Sequence, residues 1–491
     1  MKGFIKVGPD KKNFIESESG EKFIPFGLNY IDPYCWEQNT EPHPWRGPHP
    51  WLNFNPQRIE KDFERMSNIG INIVRISITA NSFIIQDKKQ FESNLKKLDY
   101  VIKIAKDYGM RLILSNFLEW EGYSENWTCN EDKITQYYDS IPQKKLVNLC
   151  KLLGERYCDE PTIFSYSLQN EAMIPWNIPV ELWIKWLKIK YKNNLVELKS
   201  SWNDYNIIDW TNITIPPDID NRDNNKLYDY QLFREWLSYK WLREQVSAIR
   251  SVDKNHMISL GNIQWNTPLY RKWEPIPSGY VGFDPHVIGP LLDYISIHWY
   301  PCKPDFIKTF REFIPKALVY MEETLKYNSI GKPLVVEEFG AGSSVDNPET
   351  EKDHSNWLKS VIDMSKNIVS GWLVWMYADP ENAEQDMGIF TSNYELKEAG
   401  KTWQEIGAII KNNKLQKTLS VKNKYIWEID KKTLLTWYGG TVSECKKYSD
   451  TGGFWTEEYV RLKNEGKDIE FKLVDVDENF FEMMTEKWNR V

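Results

Sequence analysis

Short apolar runs rich in β-branched residues recur along the chain, separated by longer stretches whose apolar positions repeat at helical spacing. Eight such runs read as strands: FIPFGLNY (23–30), INIVRIS (71–77), MRLILSN (110–116), TIFSYSLQN (162–170), HMISLGN (256–262), LDYISIHWY (292–300), KPLVVEEFG (332–340) and GWLVWMYA (371–378). Their near-continuous apolar character, without strict alternation, is that of strands buried on both faces. Between them lie amphipathic stretches such as 56–70, 93–109 and 142–157, and Gly70 and Gly109 stand where a helix C-cap belongs. Eight strands alternating with helices predict an α/β fold, a (β/α)8 barrel, with a doubly wound open sheet as the rival. In a barrel, chemistry sits at the C-terminal ends of the strands. There the pattern places Asn29, Arg75, Asn116, Asn170, Glu171, His298, Tyr300 and Glu338.

Two segments depart from the repeat. Residues 175–228, after strand four, are too long for a loop and carry a helical pattern of their own, so they form an insertion on the active face. The Pro- and Trp-rich stretch 31–56 is irregular and is read as a wall of the cleft. Beyond residue 412 the pattern changes to short β-like runs, KTLLTWYGG and DIEFKLVDV. The expected organisation is a barrel over 1–412 and a small β-rich C-terminal domain over 413–491.

Composition narrows the function. Of the 491 residues 23 are Trp and 26 Tyr, more than core packing alone usually takes, so part of the surplus is available to line a ligand cleft. A net charge of −8 without a dense basic tract argues against nucleic acid or an anionic membrane as partner. The N-terminal residues lack a secretory apolar run, and no stretch is long and apolar enough to span a bilayer, which is the expectation for a cytoplasmic protein. Six cysteines without C-x-x-C spacing read as free thiols, and six histidines without ligand spacing predict no catalytic metal and no cofactor. No G-x-S-x-G, Walker or G-x-G-x-x-G motif is present.

Glu171 ends strand four, and the pair Glu337–Glu338 ends strand seven. Two carboxylates facing one barrel cavity suit glycoside hydrolysis, one protonating the leaving oxygen while the other attacks or activates water. Alternation along a strand sends Glu337 and Glu338 to opposite faces, without choosing which of them faces the cavity.

In these residues the chain resembles the retaining glycoside hydrolases of the (β/α)8 clan that holds families 5 and 42, family 5 above all. The resemblance implies that Glu171, preceded by Asn170, is the acid/base. Glu338, followed by Phe339 and Gly340, is then the nucleophile. It further implies substrate-binding roles for Arg75, Asn170, His298, Tyr300 and Trp375; Asn116 and Glu119 in LSNFLEWEG read as further sugar contacts at strand three or, equally, as part of a solvated loop. Glu171 is then expected to hold a proton near neutral pH, Glu338 to stay ionised beside Arg75 and Tyr300, and the carboxyls to stand roughly 5–5.5 Å apart. Glu337 is expected to be bonded behind the strand. The match spans residues 14–410.

NFLEW and VVEEFG resemble mannan-active members of family 5, whereas Trp183, Trp186, Leu187, Tyr191, Leu195 and Trp202 resemble a segment of family 42 β-galactosidases. The expected activity is an exo-acting β-mannosidase-like hydrolysis of β-linked oligosaccharides. Alternatives are an endo-β-1,4-mannanase, a β-galactosidase or β-glucosidase, and, in a different class, a catalytically inactive sugar-binding protein.

Overall fold

The computed structural model describes residues 3–30, 54–78, 83, 88–118, 135–216, 225–269, 280–301, 308–380, 386–412, 415, 423–436, 454–477 and 479–490. Eight strands close into a parallel barrel: β1 Phe26–Asn29, β2 Ile73–Ser77, β3 Arg111–Leu118, β4 Ile163–Asn170, β5 Met257–Ile263, β6 Ile295–Trp299, β7 Leu334–Phe339 and β8 Gly371–Val374. Each lies within the run expected for it or within two residues of its ends. Helices α1 Pro56–Asn68, α2 Lys88–Asp107, α3 Ser140–Tyr157, α6 Asn225–Val252, α7 Phe310–Asn328, α8 Pro348–Ser365 and α9 Glu398–Lys411 pack outside. Asn55 caps α1 by accepting from the Arg58 N–H at 3.1 Å, and Gly70 and Gly109 take φ values of +85° and +73° just past α1 and α2. No helix among the described residues is long and apolar enough to cross a membrane.

Inside the barrel the layers change character from bottom to top. Ile73, Ile113, Phe164, Met257, Tyr294, Val335 and Leu373 form an apolar floor, closed from below by Ile5 and Phe14 of a small three-stranded antiparallel sheet. One pleat higher, the buried residues are Arg75, Ser115, Ser167, Ser259, Ser296 and Glu337. Small hydroxyls and charges therefore replace hydrocarbon toward the C-terminal mouth, and a buried charge persists only where partners satisfy it.

The insertion after β4 is two helices, α4 Val180–Lys190 and α5 Leu195–Trp202, where the pattern suggested one. Lys192 and Asn193 adopt left-handed φ values of +50° and +57°, and Asn194 then caps α5. Its aromatic stripe is core. Trp183 stacks on Trp186 at 5.5 Å and abuts Tyr230 and Phe233 of α6, and Asp229 accepts from Tyr191 Oη at 2.6 Å and Trp202 Nε1 at 2.8 Å.

The C-terminal segment carries two parallel strands, β9 Asn423–Asp430 and β10 Lys467–Val474, with helices α10 Lys431–Thr436, α11 Phe454–Asn464 and α12 Phe480–Trp488. The KTLLT run is thus helical rather than a strand. Lys431, Leu434, Leu435 and Thr436 are its buried positions; the first three have the i, i+3, i+4 spacing of one helix face, in a run too short to declare its period. Ile429, Leu434, Trp455, Tyr459 and Phe471 pack on Tyr327 of α7, and Lys431 pairs with Glu235 and Asp284, both buried.

Candidate active site

Arg75 on β2 organises the mouth of the barrel. Its guanidinium is buried, and the planar fork reaches four partners at once. Nη1 donates to Asn29 Oδ1 at 2.8 Å and to Glu338 Oε1, Nη2 donates to Asn170 Oδ1 at 3.1 Å, and Nε lies 3.5 Å from Glu337 Oε2. Tyr300, just beyond β6, donates its hydroxyl to the other Glu338 oxygen at 2.7 Å, while its N–H donates to Gln264 Oε1 at 2.6 Å. Both Glu338 oxygens are therefore engaged.

Glu171 follows β4 with a left-handed φ of +52°, unusual for a residue with a Cβ, and its N–H is tied to the Gly261 carbonyl at 2.8 Å. This turn aims the carboxylate at the barrel axis, where His298 Nδ1 lies 3.2 Å from Glu171 Oε1 and 3.3 Å from Glu338 Oε1. A carboxylate oxygen of Glu171 lies within 4.8 Å of one on Glu338. That separation is of the short, retaining kind rather than the roughly 6.5–9.5 Å of inverting pairs.

Glu337 overturns the expectation that it lies behind the strand. Val336 pairs with Ile297, but Glu338 pairs with His298, so β7 carries one extra residue at Glu337. A bulge of this kind leaves two successive side chains on one side of the sheet. Alternation from Val335 of the floor sends the Glu337 carboxylate into the barrel, where it accepts from Ser167 Oγ at 2.9 Å and lies 3.6 Å from His298 Nε2, and the extra residue turns Glu338 inward above it. Nothing in the EE dipeptide signals the bulge. Ser167 in β4, Gln264 just past β5 and Tyr294 just before β6 also escape sequence reading, because lone polar residues carry no motif.

The charges divide sharply. Burial pushes Glu337 up, yet Arg75, His298 and Ser167 outweigh it and hold the carboxyl below the usual range. Burial raises Glu338, with Glu171 adding to the rise, against the pull of His298, Arg75 and Tyr300. Burial and Arg75 would depress His298, but the carboxylates of Glu338, Glu171 and Glu337 raise it to about 9. Glu171, His298 and Glu338 lie close enough to offer ligand atoms to a cation, but the Arg75 guanidinium already occupies Glu338 and would repel one.

Trp375, half-buried, follows β8 and donates its N–H to the Phe339 carbonyl at 2.9 Å. Gly340 is required beside it, because a Cβ there would stand 2.5 Å from the Trp375 carbonyl oxygen. Asn116 lies near the C-terminal end of β3 with its side chain outside the described residues, and Glu119 and the 31–53 part of the supposed cleft wall are also outside them.

The sequence model of Cellulase (glycosyl hydrolase family 5) matches residues 36–380, well over half of the 491 residues. The chain belongs to glycosyl hydrolase family 5. It is a retaining glycoside hydrolase. As a family 5 member it is 22% identical over 327 residues to the mannan endo-1,4-beta-mannosidase 7 of Oryza sativa subsp. japonica, covering 60% of this chain and 71% of that one. Its fold is similar to that of an exo-beta-1,4-mannosidase from Opitutaceae bacterium strain TAV5, at 14% identity and a TM-score of 0.63, covering 96% of this chain and 73% of the other. A GH42 beta-galactosidase from G. stearothermophilus is similar at 16% identity and a TM-score of 0.67, covering 92% and 65%. The family 5 barrel, the mannanase likeness and the family 42 likeness thus agree with the motifs read from the sequence.

Proposed function

We propose that this family 5 hydrolase is an exo-acting β-mannosidase-like enzyme that cleaves β-linked oligosaccharides, with Glu338 as nucleophile and Glu171 as acid/base. The observation that carries the assignment is the short Glu171–Glu338 separation combined with the engagement of both Glu338 oxygens by Arg75 and Tyr300. A carboxylate held this way is oriented for attack, and no water fits between the pair.

In the first step a Glu338 oxygen bonds to the anomeric carbon as the glycosidic C–O bond breaks, and the Glu171 proton goes to the departing oxygen. In the second, Glu171 takes a proton from water, whose oxygen displaces Glu338 and restores the β-configuration. Arg75 takes Asn170 Oδ1, which leaves the amide N–H groups as donors toward a sugar 2-hydroxyl. Trp375 would floor the sugar ring, and Asn116 and Glu119 would extend the contacts beyond β3.

Mannose is supported by the names of the relatives, and exo-action by the likeness over nearly the whole chain to an exo-beta-1,4-mannosidase. The endo reading draws on the mannan endo-1,4-beta-mannosidases at about one-fifth identity. Side-by-side assay of aryl β-mannoside, β-galactoside and β-glucoside tests the sugar, and the products from mannohexaose test the mode. Mannose alone means exo, and mixed oligosaccharides mean endo. Glu338→Ala should abolish hydrolysis and azide should restore turnover with an inverted glycosyl azide. Full activity in Glu338→Ala alongside a dead Glu337→Ala would refute the assignment.

A further inference from the structure

Glu337 is the buried charge that the double displacement leaves unused. Its carboxylate meets Ser167 Oγ at 2.9 Å, Tyr294 Oη at 3.5 Å, Arg75 Nε at 3.5 Å and His298 Nε2 at 3.6 Å. None of these is a reacting atom. An anion at the centre of a barrel is unfavourable unless cations face it, and Arg75 and His298 supply them. The ring of His298 is in turn flanked at both nitrogens by carboxylates: Glu337 at Nε2, and Glu171 and Glu338 at Nδ1. An imidazole offers a proton on both sides only when doubly protonated. Gly261 leaves space for that ring, since a Cβ there would stand 3.0 Å from Nε2.

We propose that Glu337 is a positioning residue: facing into the barrel one pleat above Val335, it holds His298 as an imidazolium whose Nδ1–H lies between Glu171 and Glu338. This rests on the proposed roles of those two residues. During glycosylation, Glu338 loses its negative charge to the new C–O bond while Glu171 gains one by giving up its proton; deglycosylation reverses both changes. A donor 3.2 Å from one carboxylate and 3.3 Å from the other serves whichever is ionised, without moving and without itself gaining or losing a proton. The groups facing His298 are Arg75 from β2, Glu171 after β4, and Glu337 and Glu338 from β7. Three carboxylates face one guanidinium and one imidazolium, and the proton that the proposed acid role gives Glu171 balances the set. The lowered Glu337 and the raised His298 agree with this division.

Imidazole nitrogen NMR on the full chain, labelled at its six histidines, tests the proposal, with His298→Gln locating the signal. At about pH 7.5 both ring nitrogens of His298 should be protonated, above the ordinary midpoint of about 6.5. Glu337→Gln keeps the shape and removes the charge, so the His298 midpoint and the alkaline limb of kcat should fall by about one pH unit or more. The loss should appear in kcat rather than KM. A neutral His298 in the unaltered protein at that pH overturns the proposal even if Glu337→Gln does not fold. So does an alkaline limb that Glu337→Gln leaves in place. Failure of the catalytic assignment is a separate result, activity retained in Glu171→Ala or Glu338→Ala, and the NMR reading does not depend on it.

Discussion

Lys431→Met tests whether the C-terminal segment is locked to the barrel by charge. Lys431 Nζ lies 2.8 Å from Glu235 Oε2 and 3.2 Å from Asp284 Oδ2, and all three side chains are buried. Tyr280 donates to the other Glu235 oxygen at 2.6 Å, and Tyr327 donates to Asp284 at 3.2 Å. Methionine preserves the length and apolar stem but removes the cation, leaving two carboxylates in a pocket with only hydroxyl and backbone donors. Breaking one partner out of a buried ion pair typically costs about 3–5 kcal/mol. The alternative open to the variant is to protonate Glu235, which burial already raises. At pH 7 that costs about 3.4 kcal/mol for a carboxyl of ordinary pKa near 4.5, at about 1.36 kcal/mol per unit. The two routes agree, so a loss of about 3–4 kcal/mol is expected at pH 7. In the variant the folded state binds a proton that the unfolded state lacks, so its deficit shrinks as pH falls, to about 1.4 kcal/mol at about pH 5.5. Urea unfolding of both proteins at the two pH values measures this directly. A deficit below about 1 kcal/mol at pH 7, or one that does not change with pH, would refute a buried, charge-compensating Lys431.

Tyr300→Phe removes the 2.7 Å hydroxyl bond that lowers Glu338, so the acid limb of kcat/KM should move to higher pH by about one unit, and an unmoved limb counts against Glu338 as the titrating nucleophile. Gly340→Ala places a methyl 2.5 Å from the Trp375 carbonyl, and thermal unfolding should report a loss of about 1–3 kcal/mol together with reduced kcat, since β7 and β8 must separate. Trp183→Ala empties the centre of the insertion's aromatic stack, with an expected loss of about 3–5 kcal/mol in urea unfolding; a near-neutral result would mean that the stripe is not core.

The barrel is legible because buried parallel strands must be apolar on both faces, and each strand that forms lies within its run or within two residues of the run's ends. The ends of those strands are equally legible, since Arg75, Asn170, His298 and Glu338 are polar residues interrupting hydrocarbon, and all four converge at the mouth. The insertion is only half legible. Its tryptophan spacing marks a helix face, but whether that face lines a cleft or packs on α6 depends on what lies opposite. In the C-terminal segment, Lys431–Thr436 spans fewer than two helical turns, too little for spacing to tell a helix from a strand.

Glu337 marks the boundary most clearly. Its type, its place in the chain and its neighbour Glu338 are matters of sequence, as is the pairing of Glu338 with Glu171 through the family 5 motifs. That it shares the cavity with Glu338 is not, because side-chain alternation holds only while two strands stay in register. The register of β7 slips against β6 by one residue between Val336 and Glu338. That slip is a matter of pairing with another strand, and the carboxylates it brings together face Arg75 and His298, contributed from elsewhere in the chain. Local periodicity therefore determined which residues reach the barrel's mouth, and only the closed barrel decided that both glutamates turn inward.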